Sequence, residues 1–99
     1  MPTQVRINLD EELIPSYPDM SPETARRTNA GIDAKIRQVL VVLPCRPRVG
    51  DCLNLQSFEA QFGLTEFERE CLADCNYLVT VTEVVICRDF LEVYVKKVD

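Results

Sequence analysis

The chain has 99 residues, of which 46% are hydrophobic and 27% are charged, and its net charge is −5. This composition excludes a disordered chain and this length excludes two independent cores, so we expect a single domain over residues 1–99. No apolar run approaches the roughly 18 residues of a membrane span, and the first residues lack the basic and apolar regions of a secretory signal. We therefore expect a cytoplasmic protein that does not enter a membrane.

The N-terminal third is predicted to hold one strand and little else. Gln4 to Leu9 alternates apolar and polar residues, as a half-buried strand does. Residues 10–31 contain many acids and three of the six prolines, which favours a loop or a weakly anchored helix. Ser21 followed by Pro22 has the order of an N-cap and a first helical position, so a short helix is predicted to run to about Asn29.

Residues 35–98 are predicted to form a barrel. Helical and extended periodicities compete after Ile32, and the β-branched residues that follow favour a strand from Lys35 to Leu43. Pro44 then breaks the chain, and a short strand is predicted from Cys52 to Leu55.

A second helix is predicted before the last strands. Thr65 and Glu68 form the capping-box pattern that opens a helix, and Asn76 is a suitable end. The predicted buried side of this helix consists of apolar and thiol side chains, namely Phe67, Cys71, Leu72 and Cys75.

The remaining residues, 77–98, are predicted to form a long hairpin with its turn at Arg88 to Phe90. A straight alternation would point Glu83 into the core. We therefore expect a bulge near Thr82, which moves Val84 and Ile86 to the core face.

Five strands without β-α-β alternation favour an α+β, mainly β domain: a small, partly open barrel with a helix inserted before the C-terminal hairpin. Three segments, Val41 to Leu55, Tyr77 to Val81 and Leu91 to Val95, resemble small SH3-like barrel proteins of bacteria and their mobile elements. In those proteins a strand, a proline-rich turn and a Val-Gly-Asp step precede a Tyr-x-Val hairpin. The resemblance covers about half of the chain and implies a five-stranded SH3-like barrel but no particular activity.

The five cysteines are predicted to be reduced thiols, because an odd number cannot pair within one chain. Cys71 and Cys75 lie one helical turn apart, and with Cys45 and Cys52 they could complete a tetrahedral zinc site. Packing in the core is the favoured interpretation, since two-residue knuckle spacings are absent and buried cysteine behaves as a small apolar residue. We expect no metal and no cofactor.

No catalytic site is recognisable. The chain has no histidine to activate a cysteine, and no pair of carboxylates stands in an apolar surrounding. We expect a protein that is not an enzyme.

Residues 26–48 carry six bases and one acid, whereas both neighbouring blocks are acidic. The six bases are a candidate nucleic-acid patch, with Tyr94 or Phe90 available for stacking: Arg26, Arg27, Lys35, Arg37, Arg46 and Arg48. The competing interpretation is that Lys35 and Arg37 keep the outer face of an exposed strand soluble.

Four apolar residues lie within the acidic, proline-rich segment and are candidate contacts for a partner, namely Leu13, Ile14, Tyr17 and Met20. The leading functional hypothesis is a non-enzymatic protein-interaction module, self-associating or binding another protein through strand edges. The alternative is a nucleic-acid-binding accessory protein that uses the basic residues 26–48.

Overall fold

A computed structural model describes residues 2–9, 21–73 and 76–98. They form a small α+β domain whose mixed sheet curls into half of a barrel. The strands are β1 (Thr3–Leu9), β2 (Leu40–Leu43), β3 (Cys52–Asn54), β4 (Leu78–Ile86) and β5 (Leu91–Lys97). The helices are α1 (Pro22–Arg37), α2 (Glu59–Phe62) and α3 (Glu66–Ala73), and a 3₁₀ helix, Leu55–Phe58, precedes α2.

The strand order is β2-β1-β5-β4-β3, which places β2 and β3 at the two edges. β1 runs parallel to β5, with Ile7 opposite Val93, and every other pairing is antiparallel. The number of strands and the helix before the hairpin are confirmed, whereas the bounds of β2 and β3 differ from the predicted ones. The parallel pairing of the first strand with the last was not predicted, because it joins residues that are far apart in sequence.

The core lies between one face of the sheet and the helices. The hairpin residues predicted to share that core are all buried, namely Val79, Val81, Leu91, Val93 and Val95. They pack in one cluster with Val5 and Ile7 of β1 and with Ile32 of α1. The predicted hairpin is therefore confirmed in both its alternation and its turn.

The predicted bulge is also confirmed. The register of β4 against β5 shifts between Val81 and Glu83, and the Thr82 Oγ1 donates a hydrogen bond to the Tyr94 carbonyl at 3.1 Å. Val84 packs against the core, but the prediction for Ile86 is wrong, because its side chain is 70% exposed. β3 pairs only with the first residues of β4, so the far end of β4 has a described strand, β5, on one side only.

The first helix is longer than the sequence predicted. Ile32 and Ile36 continue the buried stripe that begins at Ala25, so α1 runs on to Arg37 instead of stopping near Asn29. A central glycine costs a helix about 1 kcal/mol, which the burial of two isoleucines outweighs. The helix is therefore firmly anchored.

The predicted strand from Lys35 to Leu43 is wrong over its first half. Lys35 and Arg37 belong to the last turn of α1, and β2 begins only at Leu40. The interpretation that these two bases lie on the outer face of a strand is therefore also wrong. This segment forms a helix and not a strand because the apolar side chains at helical spacing reach the core.

The short third strand ends one residue before the predicted end. Leu55 begins the 3₁₀ helix and is fully buried, and the side chain of Asn54 caps that helix by accepting from the Gln56 N–H at 3.0 Å. The preceding turn needs a glycine, since Gly50 has a φ of 96° and donates to the Val81 carbonyl at 2.8 Å.

The capping box of α3 is confirmed. Thr65 Oγ1 accepts from the Glu68 N–H at 3.2 Å, and Glu68 Oε1 accepts from the Thr65 N–H at 2.9 Å. Cys71 and Leu72 are buried as predicted, but Phe67 is 49% exposed. The buried stripe is centred on Glu68 instead, which turns Phe67 outward; Cys75 lies outside the described residues.

Candidate interaction site

Half of the six predicted basic residues are already matched by acids. Arg27 pairs with Glu23 at 2.6 Å. Arg37 pairs with Asp33 at 3.1 Å, and Lys35 pairs with Glu68. These pairings reduce the positive charge that a phosphate backbone would meet along α1.

The other three bases, Arg26, Arg46 and Arg48, are exposed and form no ion pair with a described residue. Arg26 lies on α1, whereas Arg46 and Arg48 follow β2. The structure groups Arg46 with a base outside residues 26–48, since Arg46 and Arg88 line one cavity.

The pair of Lys35 and Glu68 joins α1 to α3 and has a structural role. Burial acts to raise the pKa of Glu68, but hydrogen bonds from Lys35 Nζ and from Thr65 outweigh it, so the pKa lies below its ordinary value. The carboxylate therefore stays charged at neutral pH and holds the start of α3 against α1.

The β2 edge, defined as the outer edge of Leu40–Leu43, is the first feature suited to binding. β2 pairs with β1 on one side, and no described segment pairs with the other. All four residues are apolar, and Leu40 and Val42 are 40% and 54% exposed. Alternate backbone groups of such a strand point away from the sheet and can pair with another chain.

A second unpaired edge lies along the last part of β4, but it carries protective features. β3 pairs only with Leu78 to Thr80, so the residues from Glu83 to Ile86 have a partner only in β5 within the described chain. The bulge at Thr82 twists this stretch, and Glu83 adds a charge. Both devices oppose pairing with another strand, and β2 has neither.

A cavity of about 340 Å³ lies at the end of the sheet where β2 finishes. Its lining comes from the start of β1, the loop after β2 and the turn of the hairpin: Pro2, Thr3, Gln4, Arg46, Cys87, Arg88, Asp89, Phe90 and Leu91. Thr3 is opposite Leu43 in the sheet and Arg46 follows β2 by three residues, so this cavity lies near the C-terminal end of β2, on the side of β1.

Phe90 forms a fixed wall of that cavity. The guanidinium of Arg6 lies over its ring, 4.7 Å from the centroid, and is held there by Glu92 at 3.4 Å. The predicted availability of Phe90 for stacking on a base is thereby reduced. Tyr94 is half-buried on β5.

Two further cavities differ in their charge balance. One, of about 330 Å³, is lined by Arg6 and Arg37, and each of these bases has an acid partner. Another, of about 460 Å³, is lined by Arg69 with its partner Glu59 at 3.6 Å. The cavity of Arg46 and Arg88 thus differs from both, because its two guanidinium groups have no ion-pair partner among the described residues.

The cysteines with described positions lie in different surroundings. Cys45 and Cys52 are exposed, Cys71 is buried in α3 and Cys87 is half-buried beside the cavity. Among the described residues, no group of three or more histidine, cysteine or acidic side chains could hold a metal ion. Cys75, the fourth member of the zinc site considered from the sequence, lies outside them.

Two predictions about partners have different outcomes. The apolar contacts proposed at Leu13, Ile14, Tyr17 and Met20 fall outside the described residues. The second prediction concerns the membrane: none of the described helices is both long enough and apolar enough to cross a bilayer.

Comparison with known proteins finds no relative for this arrangement, because no family model, no curated protein and no solved structure matches the chain.

Proposed function

We propose that this domain is a non-enzymatic protein-interaction module that binds an extended segment of a partner protein as an additional strand at the β2 edge. The observation that carries the proposal is an apolar edge strand whose outer side pairs with no described segment. Natural edge strands are often very short, or carry a charge, a proline or a bulge; β2 is short, but its four residues include no charged residue and no proline.

Main-chain pairing alone would bind weakly. Four edge residues provide about four hydrogen bonds to an added strand, each worth about 1 kcal/mol net. Ordering four residues of the partner costs about 1 to 2 kcal/mol each. The balance runs from zero to about 4 kcal/mol unfavourable, so side-chain contacts must supply the affinity and the specificity. Leu40 and Val42 are the exposed side chains available along the edge.

The experiment follows a blocked peptide of alternating threonine and valine by NMR. We expect shift changes and slowed amide exchange confined to β2 and its neighbours. Val42→Lys places a charge on the edge and should abolish these changes. Val85→Lys is the matched control, because Val85 is an exposed valine on the other unpaired edge and its variant should bind as the parent does.

Two results would contradict the proposal. Equal loss of binding in Val42→Lys and Val85→Lys would place the contact elsewhere on the sheet. Sedimentation that shows a stable dimer, dissolved by Val42→Lys, would make a second copy of the chain the occupant of this edge.

A further inference from the structure

We infer that the cavity of Arg46 and Arg88 binds a carboxylate of the segment that adds to β2, which identifies the partner as an extended peptide with acidic residues next to its paired stretch. This inference rests on the proposed function. It supplies the side-chain contact that the main-chain pairing needs.

The position of the cavity makes the contact possible. Thr3 lines the cavity and is opposite Leu43, the last residue of β2. An added strand would lie about 4.8 Å beyond β2 and about 10 Å from β1. Extended chain advances about 3.3 Å per residue, so three residues beyond the paired stretch cover this distance.

The charges favour a carboxylate. Arg46 and Arg88 are exposed, and neither has an acid of the described chain within ion-pair distance. Each guanidinium presents five donors, arranged to bind a carboxylate through two parallel bonds. Asp89 is the acid in the cavity lining, which leaves an excess of positive charge.

The overall charge of −5 does not prevent this contact. At physiological salt, exposed charges more than about 8 Å apart are largely screened. The two arginines of the cavity therefore determine which ligand charge the cavity prefers. The distant acids of the domain only slow the approach of an acidic peptide.

A second copy of this chain suits the cavity less well. If β2 paired antiparallel with its copy, the residues that precede β2, Gln38 and Val39, would come to the cavity end, and neither is an acid. An acidic partner supplies a carboxylate at that position.

The test compares two blocked peptides with this protein by titration calorimetry and NMR. Both contain alternating threonine and valine preceded by a glycine, and before the glycine one has two aspartates and the other two asparagines. The acids stand at the N-terminal end because antiparallel pairing with β2 brings that end to the cavity. We expect the aspartate peptide to bind roughly ten-fold more tightly at low salt, and the difference to shrink as salt rises.

The double variant Arg46→Gln, Arg88→Gln should lose this preference and bind both peptides as the parent binds the asparagine peptide. Arg26→Gln is the matched control, because Arg26 is also exposed and free of ion pairs with described residues but lies on α1. Its variant should keep the full preference. Unchanged amide spectra of the free variants confirm that the fold is intact.

The outcomes separate the two proposals. Equal affinity for both peptides, with binding still abolished by Val42→Lys, overturns the carboxylate site and leaves strand addition in place. A preference that survives in the double variant also overturns the carboxylate site. If neither peptide binds, both proposals are overturned, because the carboxylate site rests on strand addition.

Discussion

Removing the Glu68 side chain should destabilise the domain by about 2 kcal/mol. Glu68 accepts from the Thr65 N–H at 2.9 Å, and losing this part of the capping box costs about 1 kcal/mol. Its pairing with Lys35 adds about 1 kcal/mol. That value lies at the top of the range for exposed pairs and below the roughly 3 to 5 kcal/mol of fully buried ones, because the Lys35 side chain is 34% exposed.

Two substitutions separate these contributions. Glu68→Ala should lower the free energy of unfolding by the full amount, whereas Glu68→Gln keeps an acceptor for Thr65 and should cost about 1 kcal/mol. Glu70→Ala is the control, because Glu70 is an exposed acid of the same helix and its removal should change stability by no more than about 0.5 kcal/mol. Urea unfolding followed by circular dichroism measures all three.

The cost of Glu68→Gln should also depend on pH. The pKa of Glu68 in the folded state lies below its ordinary value of 4.5, so the charged form stabilises the fold. This contribution is fully present above pH 4.5 and disappears as the pH falls through the lower, folded-state pKa. The unfolding curves of the parent and of Glu68→Gln should therefore converge in acid. Equal costs for Glu68→Ala and Glu70→Ala at pH 7 would refute this account of the junction between α1 and α3.

Two further predictions test the core and the basic residues. Val93→Ala, at a fully buried position between β1 and β4, should destabilise by about 1 to 3 kcal/mol in thermal unfolding, and an unchanged melting curve would show that the hairpin core is misassigned. DNA or RNA should bind weakly, because half of the bases in residues 26–48 are paired with acids. A nucleic-acid protein that engages several phosphates would instead bind measurably at low salt and lose roughly ten-fold or more of its affinity over a few-fold rise in salt. Binding that persists at physiological salt and collapses in an Arg46→Ala, Arg48→Ala variant would favour the nucleic-acid hypothesis over the interaction module.

The relationship of this fold to SH3-like barrels stays a prediction.

The sequence by itself determined the local features whose causes lie within a few residues. The alternation of Val79 and Val81 and of Leu91, Val93 and Val95 predicted the hairpin, since side chains two apart share one face of a strand. The pair of Thr65 and Glu68 predicted the start of α3, because a capping box needs only residues three apart. Even the bulge at Thr82 followed from the position of Glu83 in the alternation.

The tertiary structure decided everything that depends on distant partners. Ile32 and Ile36 fit both a helix and a strand, and the available core favoured the helix, which moved Lys35 from a predicted strand to a junction with Glu68. The placement of β2 at an edge follows from the parallel pairing of β1 with β5, which no local pattern encodes. Arg46 and Arg88 are 42 positions apart in the sequence and share a cavity only because the sheet brings the end of β2 and the hairpin turn together. Local periodicity reports which face of an element is apolar, but only the packed chain determines which elements are neighbours and which edge stays open.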